Sequence, residues 1–500
     1  MNIAAPLSLH DSIGDAARRF LNGGPKKLLI GGDWVPAKSG KTFAAVNPAT
    51  EDVVGHAAEG DAADVDIAVL AARLAFENPN WCAIDPHARG DYLLKIADLV
   101  EKNAEELAQL ETLNNGTPIS FTRAMIPDVA KVFRYYAGWP TKLYGETNPS
   151  GANIFNFTLR EPLGVCGQII PWNGPLTMAA WKIAPALACG NTTILKPAEQ
   201  TPLTAIRLGE LILEAGVPPG VVNIITGFGE TAGAAIAAHP GIDKVAFTGS
   251  TDVGRMILRA SAGNLKRVTL ELGGKSPNII FADADMDKAL AASVGAFCFL
   301  SGQVCVAGTR VFVQEKIYDQ FVERLSAQVA QFPVGDPFDA NNFMGPLVSR
   351  EQFDRVSNYF DVGKSDGANL ETGGSRLGNK GYFVKPTVFS GVRNDMRIAK
   401  EEIFGPVAAV IPFEDEDDAV FQGNDTQYGL AAAVWTCDIS RAHRVGRALK
   451  AGTVWVNTYL NVDPISPFGG YKQSGIGREL GVHSIDSYTQ VKSMFIDLAS

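Results

Sequence analysis

Gly164-Val165-Cys166-Gly167-Gln168-Ile169-Ile170 is a short apolar run without three- or four-residue spacing, and it reads as a buried strand. Strand candidates recur at 192–195, 221–226, 244–247 and 267–272, with helical stretches near 176–188, 202–215, 230–238 and 252–262 between them. Strands alternating with helices of about ten to fifteen residues imply a parallel, doubly wound sheet, hence an α/β fold. Such sheets bind ligands beyond the carboxyl ends of their strands, where the polar motifs of this chain fall.

Upstream, Lys27–Ile30 before Gly31-Gly32 and a run near Thr42–Val46 read as short strands. Residues 62–76 and 88–112 carry Ala, Leu and Ile at helical spacing with charges between. Phe155-Asn156-Phe157-Thr158-Leu159-Arg160 alternates like a strand, which suggests a protruding hairpin that pairs with another subunit. Downstream of 274 a second alternation begins: a helix is expected over 315–332, and Thr453–Asn457 reads as a buried strand. The tail Ser487–Leu498 is strand-like and could complete an intersubunit sheet.

Five hundred residues exceed what one hydrophobic core usually supports, so two or more domains are expected. The net charge of −10 argues against nucleic-acid or anionic-membrane partners, which need a basic surface. Cys82, Cys166, Cys189, Cys298, Cys305 and Cys437 are scattered, with no C-x-x-C and no metal-ligand spacing, as in a reducing compartment. Asp11, Asp15, Arg18 and Arg19 disfavour a signal or transit peptide, and no run reaches the roughly 20 apolar residues of a membrane helix. A cytoplasmic protein is the resulting expectation.

Two glycine loops could hold phosphate. Gly227-Phe228-Gly229-Glu230-Thr231-Ala232-Gly233 is one residue longer than the dinucleotide fingerprint, and a plain βα turn reads equally well. In Phe247-Thr248-Gly249-Ser250-Thr251-Asp252-Val253-Gly254, Ser250 or Thr251 suits a helix N-cap, whose free N–H groups would suit a pyrophosphate. Glu199, in Lys196-Pro197-Ala198-Glu199, can accept from an adenosine ribose and would repel a 2′-phosphate, which favours NAD over NADP. A surface Lys/Glu pair is the plainer reading of the same residues.

Cys305, in Gly302-Gln303-Val304-Cys305-Val306-Ala307-Gly308, lies downstream of a carboxylate in Leu270-Glu271-Leu272-Gly273-Gly274-Lys275. A thiol nucleophile and a carboxylate base are the parts of covalent catalysis on a carbonyl. Taken alone, Glu271 reads as an exposed glutamate on a strand face.

These segments, with Pro171-Trp172-Asn173, Glu401-Glu402-Ile403-Phe404-Gly405-Pro406 and Pro467-Phe468-Gly469-Gly470-Tyr471-Lys472-Gln473-Ser474-Gly475, resemble the aldehyde dehydrogenase superfamily, in family order across roughly residues 27–490. The resemblance implies a Rossmann-like NAD domain (1–142 and 163–273), an α/β catalytic domain (274–473), and a small β oligomerisation arm with a C-terminal strand (143–162 and 474–500). It implies homodimers or homotetramers and no metal. Cys305 would attack the aldehyde, Asn173 and the Cys305 N–H would hold the oxyanion, and Glu271 would activate water. Lys182 and Glu479 match a proton relay to that base.

For the cofactor, the resemblance points to Lys196 and Glu199 at the adenosine ribose, with Ile169 and Trp172 bordering that side. Gly229, Phe247, Gly249, Ser250, Val253, Leu272 and Gly273 would line the remainder. Glu402, Phe404 and Gln352 match the residues at the nicotinamide and its ribose. Gly174 replaces a frequent bulky aromatic and Val462 a frequent Phe, while Met178, Trp181, Val304, Val306 and Phe468 would wall the pocket. A roomy apolar tunnel suits a bulky or aromatic aldehyde, and the 461–467 segment looks closest to bacterial phenylacetaldehyde dehydrogenases. Asp463 leaves an amino-aldehyde open, and a small aliphatic aldehyde is a further alternative. A thiol esterase without cofactor, a CoA-acylating enzyme and a non-catalytic structural protein are the rival readings.

Overall fold

The computed structural model describes residues 10–499. Its largest sheet has eight strands, and five of them run parallel in the order Arg267–Glu271, Lys244–Thr248, Val165–Ile169, Thr192–Lys196, Val222–Ile224. Val165–Ile169, Thr192–Lys196 and Val222–Ile224 are buried along their whole length because helices cover both sheet faces. Helices Pro175–Ala188, Leu203–Glu214 and Thr251–Ala260 make the expected crossovers. Antiparallel strands close both edges: Leu28–Ile30 and Asp33–Val35 on one side, Gly475–Ile476 on the other.

The seven-stranded second sheet is parallel over six strands, with Pro277–Ile280 and Arg310–Gln314 at its centre. Tyr318–Ala330 packs Phe321, Val322, Leu325 and Val329 inward, as the spacing predicts. Thr453–Val456 is the edge strand of this sheet and only half-buried, not the enclosed strand expected. Residues 88–112 divide into Pro86–Lys102 and Ala104–Asn115, because Asn103 leaves helical geometry and donates its side chain to the Leu99 carbonyl at 2.8 Å.

Ile154–Pro162 pairs over its whole length with the tail strand Thr489–Asp497 of the same chain, and with Thr147–Asn148. Within the chain the two expected strands thus pair with each other. The segment 474–500 is divided, with Gly475–Ile476 in the first sheet and only Thr489–Asp497 in the small one. No helix among the described residues is long and apolar enough to cross a membrane. The expectation of no N-terminal leader draws partly on residues 1–9, which lie outside the described residues.

Candidate active site

The nucleophile turn is built from backbone that only tight packing can hold. Leu300, Ser301 and Gly302 are consecutive left-handed residues, with φ of 49°, 58° and 70°. Non-glycine residues there store about 1–3 kcal/mol each, and such strain concentrates at functional sites. Ser301 Oγ donates to the Gly345 carbonyl at 2.8 Å, and Gln303 accepts from Val348 N at 3.0 Å. A Cβ on Gly302 would lie 2.3 Å from the Gly405 backbone, and one on Gly274 would lie 2.3 Å from the Cys305 carbonyl. Three loops, 273–274, 302–305 and 402–406, thus meet backbone against backbone.

Cys305 sits half-buried at that junction. Loss of water contact pushes its thiol up to about 12, and the nearby Glu402 and Glu271 carboxylates add to the shift. The resting group is therefore a thiol that needs a base. Asn173 Nδ2 donates to the Gln303 carbonyl at 2.8 Å, which brings that amide to the nucleophile turn and leaves its second hydrogen free.

Glu271 is buried, not exposed on a strand face. The first sheet continues past it through Gly475, and its Oε1 lies 2.8 Å from where a Gly469 Cβ would stand. Only glycine fits at Gly469. Burial holds the Glu271 carboxyl well above the usual range, reinforced by Glu479 and opposed by Lys182 and Arg478. Lys182 and Glu479 form an enclosed ion pair. Glu271 Oε2 and Glu479 Oε2 take no hydrogen bond from protein, so lone pairs on both remain for proton traffic.

Lys196, Glu199, Gly249 and Ser250, expected at the cofactor, lie at or just beyond the carboxyl ends of the parallel strands Thr192–Lys196 and Lys244–Thr248. Lys196 is buried and pairs with Glu199 at 2.9 Å, so it is not a surface pair. Ser250 caps Thr251–Ala260 through a long 3.4 Å bond from Val253 N, and Val253 is exposed beside it. The residue by which the 227–233 loop exceeds the fingerprint is absorbed in a π-helical turn, Gly229–Gly233, whose Gly233 N donates to Phe228 O. A Cβ on Gly229 would meet nothing within 4 Å, so this wall is open to a ligand. A Cβ on Gly249 would strike the Phe247 ring, and one on Gly273 would strike the Glu402 carboxylate. Glu402 accepts from Gly274 N at 2.9 Å, and burial pushes its carboxyl up to about 7. An open wall, a capped helix end and a carboxylate over a glycine turn fit a dinucleotide.

Ile169, Phe247 and Leu272, expected at the cofactor, pack into the core at the ends of the parallel strands. The Trp172 ring stands edge-on to Phe404, centroids 5.2 Å apart, which joins two of the residues expected at the cofactor. Gln352 gives its amide to the Phe404 carbonyl at 2.7 Å, which holds Phe404 at φ 60°. Arg355, unmarked in the sequence, braces the same loop through the Glu402 carbonyl at 2.6 Å.

Met178, Val304 and Cys305 pack with Tyr459 and Leu460 against a core containing Trp181, Val306, Trp455 and Phe468. Trp181 and Phe468 meet edge to face at 5.2 Å, and Tyr459 donates to the Val306 carbonyl at 2.9 Å. Gly174 is buried, yet a Cβ there would meet nothing within 4 Å. Val462 is exposed, on a loop whose Asp463 caps its own turn through Ile465 N. Tyr459 and Trp455 carry no local signal, because the second sheet brings them in from more than a hundred residues away.

A model of the aldehyde dehydrogenase family matches residues 34–494. The chain belongs to the aldehyde dehydrogenase family. It is 54% identical over 470 residues to aldehyde dehydrogenase family 2 member B4, mitochondrial, of Arabidopsis thaliana, covering 94% of this chain and 87% of that one. It is 52% identical to aldehyde dehydrogenase, cytosolic 1, of Mus musculus over 95% of both. The solved NAD+ complex of aldehyde dehydrogenase from Bacillus cereus superposes with a TM-score of 0.96 at 49% identity, covering 99% of this chain and 100% of that one. The aldehyde dehydrogenase fold expected from the sequence is the one observed, and the enzyme is an oxidoreductase that converts aldehydes to acids.

Proposed function

We propose that this NAD-dependent aldehyde dehydrogenase oxidises bulky apolar aldehydes, aromatic ones in preference, through an acyl group carried on Cys305. Gly174 carries the substrate reading: a buried position whose missing side chain leaves free space within 4 Å, on a pocket walled by Met178, Trp181, Val306 and Phe468.

The Cys305 proton passes to Glu271 through water as sulfur bonds to the aldehyde carbon. The carbonyl oxygen becomes an oxyanion, which the free Asn173 amide hydrogen and the Cys305 N–H hold. Each such donor contributes about 10²–10³ in rate. When bound, NAD accepts the hydride that leaves the tetrahedral carbon. A thioester then remains on Cys305. Glu271 removes a proton from water as that water attacks the thioester, and the acid departs with the thiol restored. A carboxyl whose affinity for protons is raised by burial suits both transfers. The Lys182–Glu479 pair behind it takes the proton onward.

Glu199 supports NAD over NADP by charge repulsion. The small sheet exposes Phe155, Val491 and Phe495 beside free strand edges, which supports assembly into homodimers or homotetramers.

The deciding experiment is an aldehyde panel with NAD, followed at the NADH absorbance. Phenylacetaldehyde should exceed acetaldehyde and an amino-aldehyde in kcat/KM, and the reverse order would refute the substrate reading. Ester hydrolysis that runs equally fast without NAD and exceeds aldehyde oxidation would favour the esterase instead.

A further inference from the structure

The helix Ala104–Asn115 ends in side chains that a helix seldom buries: Glu111, Thr112, Asn114 and Asn115 are all enclosed. Buried polar groups need partners, and all four reach other elements, Thr112 through the Thr122 hydroxyl at 2.8 Å. Asn115 Nδ2 donates to the Trp172 carbonyl at 3.3 Å. Glu111 Oε1 accepts from Leu176 N at a long 3.4 Å. The two contacts bracket Asn173 and Gly174. Glu111 Oε2 accepts from Thr204 Oγ1 at 2.6 Å, while Asn114 accepts from Leu203 N at 3.3 Å and donates to the Gln200 carbonyl at 2.9 Å.

The two helices reached in this way cannot cap themselves. Pro175–Ala188 begins after Gly174 and Leu203–Glu214 after Pro202, and neither N-cap residue supplies a side-chain bond. Their first N–H groups need acceptors from elsewhere: Glu111 supplies one for Leu176 N, where the helix dipole favours negative charge, and Asn114 supplies one for Leu203 N. Burial nevertheless pushes the Glu111 carboxyl up to about 7. The group is held there against its own desolvation.

We propose that Glu111 and Asn115 are positioning residues for the oxyanion donor, holding the Trp172–Leu176 turn from behind so that the Asn173 amide faces the adduct oxygen. The inference rests on the reading of Asn173 as that donor. Gly174 has no side chain with which to stiffen the turn, and the Asn173 side chain is tied forward only to the Gln303 carbonyl. Without the rear anchors the amide would swing, and misplacement by about 1 Å costs about a hundredfold in rate.

The test is a double-mutant cycle through Asn173. Asn115→Ala and Glu111→Ala are each made in the wild-type enzyme and in Asn173→Ala. In the wild-type background each should lower kcat by about ten- to a hundredfold, and Asn115→Ala should leave the KM for NAD unchanged. In Asn173→Ala the same changes should lower kcat by less than about twofold. Glu111→Gln, which keeps a carbonyl oxygen for Leu176 N, should recover most of the loss. Equal losses in both backgrounds, or a loss confined to KM, overturn the proposal, since support of the fold alone would act independently of Asn173. If Glu111→Ala does not fold, Asn115→Ala carries the cycle. Full activity in Asn173→Ala would overturn the oxyanion reading itself, and the clamp with it.

Discussion

Replacing Gly174 by Phe should close the proposed tunnel while leaving the chemistry in place. The residue has φ −162°, extended backbone that any side chain adopts, and its Cβ direction is clear to 4 Å. Gly174 is an N-cap without a side-chain bond, so a poor capping residue there costs about 1 kcal/mol of stability. The new ring would stand one helical turn from Met178, in the space assigned to the substrate ring. An aromatic ring buries about 150 Å² or more, and at about 25 cal/mol per Å² its exclusion forfeits about 4 kcal/mol, or about 10³-fold. Partial occupancy elsewhere in the pocket would leave at least about 10² of that. Acetaldehyde, whose methyl group does not reach the ring space, should keep kcat/KM within about threefold. The assay is initial NADH formation with phenylacetaldehyde and acetaldehyde on one enzyme batch, alongside a thermal melt. The ratio cancels any general damage to the catalytic turn. An equal fall with both substrates, or undiminished phenylacetaldehyde turnover, would refute the reasoning.

Glu271→Gln should preserve a burst of NADH but slow the steady state by about 10²–10⁴; an unchanged steady state counts against the base. Since the fold holds the Glu271 carboxyl above its unfolded value, wild-type kcat should rise with pH along a limb well above the usual carboxylate range, and the variant should lack that limb. The same shift means that this group stabilises the fold most when protonated, and the contribution fades as pH rises through the raised value, so at alkaline pH Glu271→Gln should not lower the melting temperature. Glu199→Gln should raise the NADP to NAD ratio of kcat/KM about tenfold by removing charge repulsion, and a constant ratio would contradict the cofactor argument. Gly302→Ala forces a left-handed alanine, about 1–2 kcal/mol, and drives its methyl group into the Gly405 backbone. A lower melting temperature and altered Cys305 alkylation by iodoacetamide are expected, and wild-type values for both would show that the two loops are not in contact.

The parallel sheet was legible because 165–169, 192–196 and 244–248 each hold apolar residues in a stretch too short for a helix, and nearly all their residues are buried. Helix 88–112 read as one element because the stripe continues across Asn103, whose side chain turns back on the preceding carbonyl without changing the apolar spacing. Thr453–Val456 read as enclosed because its composition matches a central strand, whereas its neighbours place it at an edge. Counting residues exposed the anomaly in 227–233, but the π turn that resolves it depends on a bond between Gly233 and Phe228.

By itself the sequence determined which chemical groups exist and along which loops: a thiol among glycines, an acid at a strand end, an asparagine before a helix, and apolar runs of the right length for an α/β sheet. Only the tertiary structure decided that Glu271 is desolvated against Gly469, that Trp172 meets Phe404, and that Gln352 braces the Phe404 loop. Periodicity records which face of an element avoids water. Proton affinity, ring contacts and hydrogen-bond partners arise between segments as far apart in the chain as Lys182 and Glu479, 297 residues, where distance and dielectric are set by packing rather than by order in the chain.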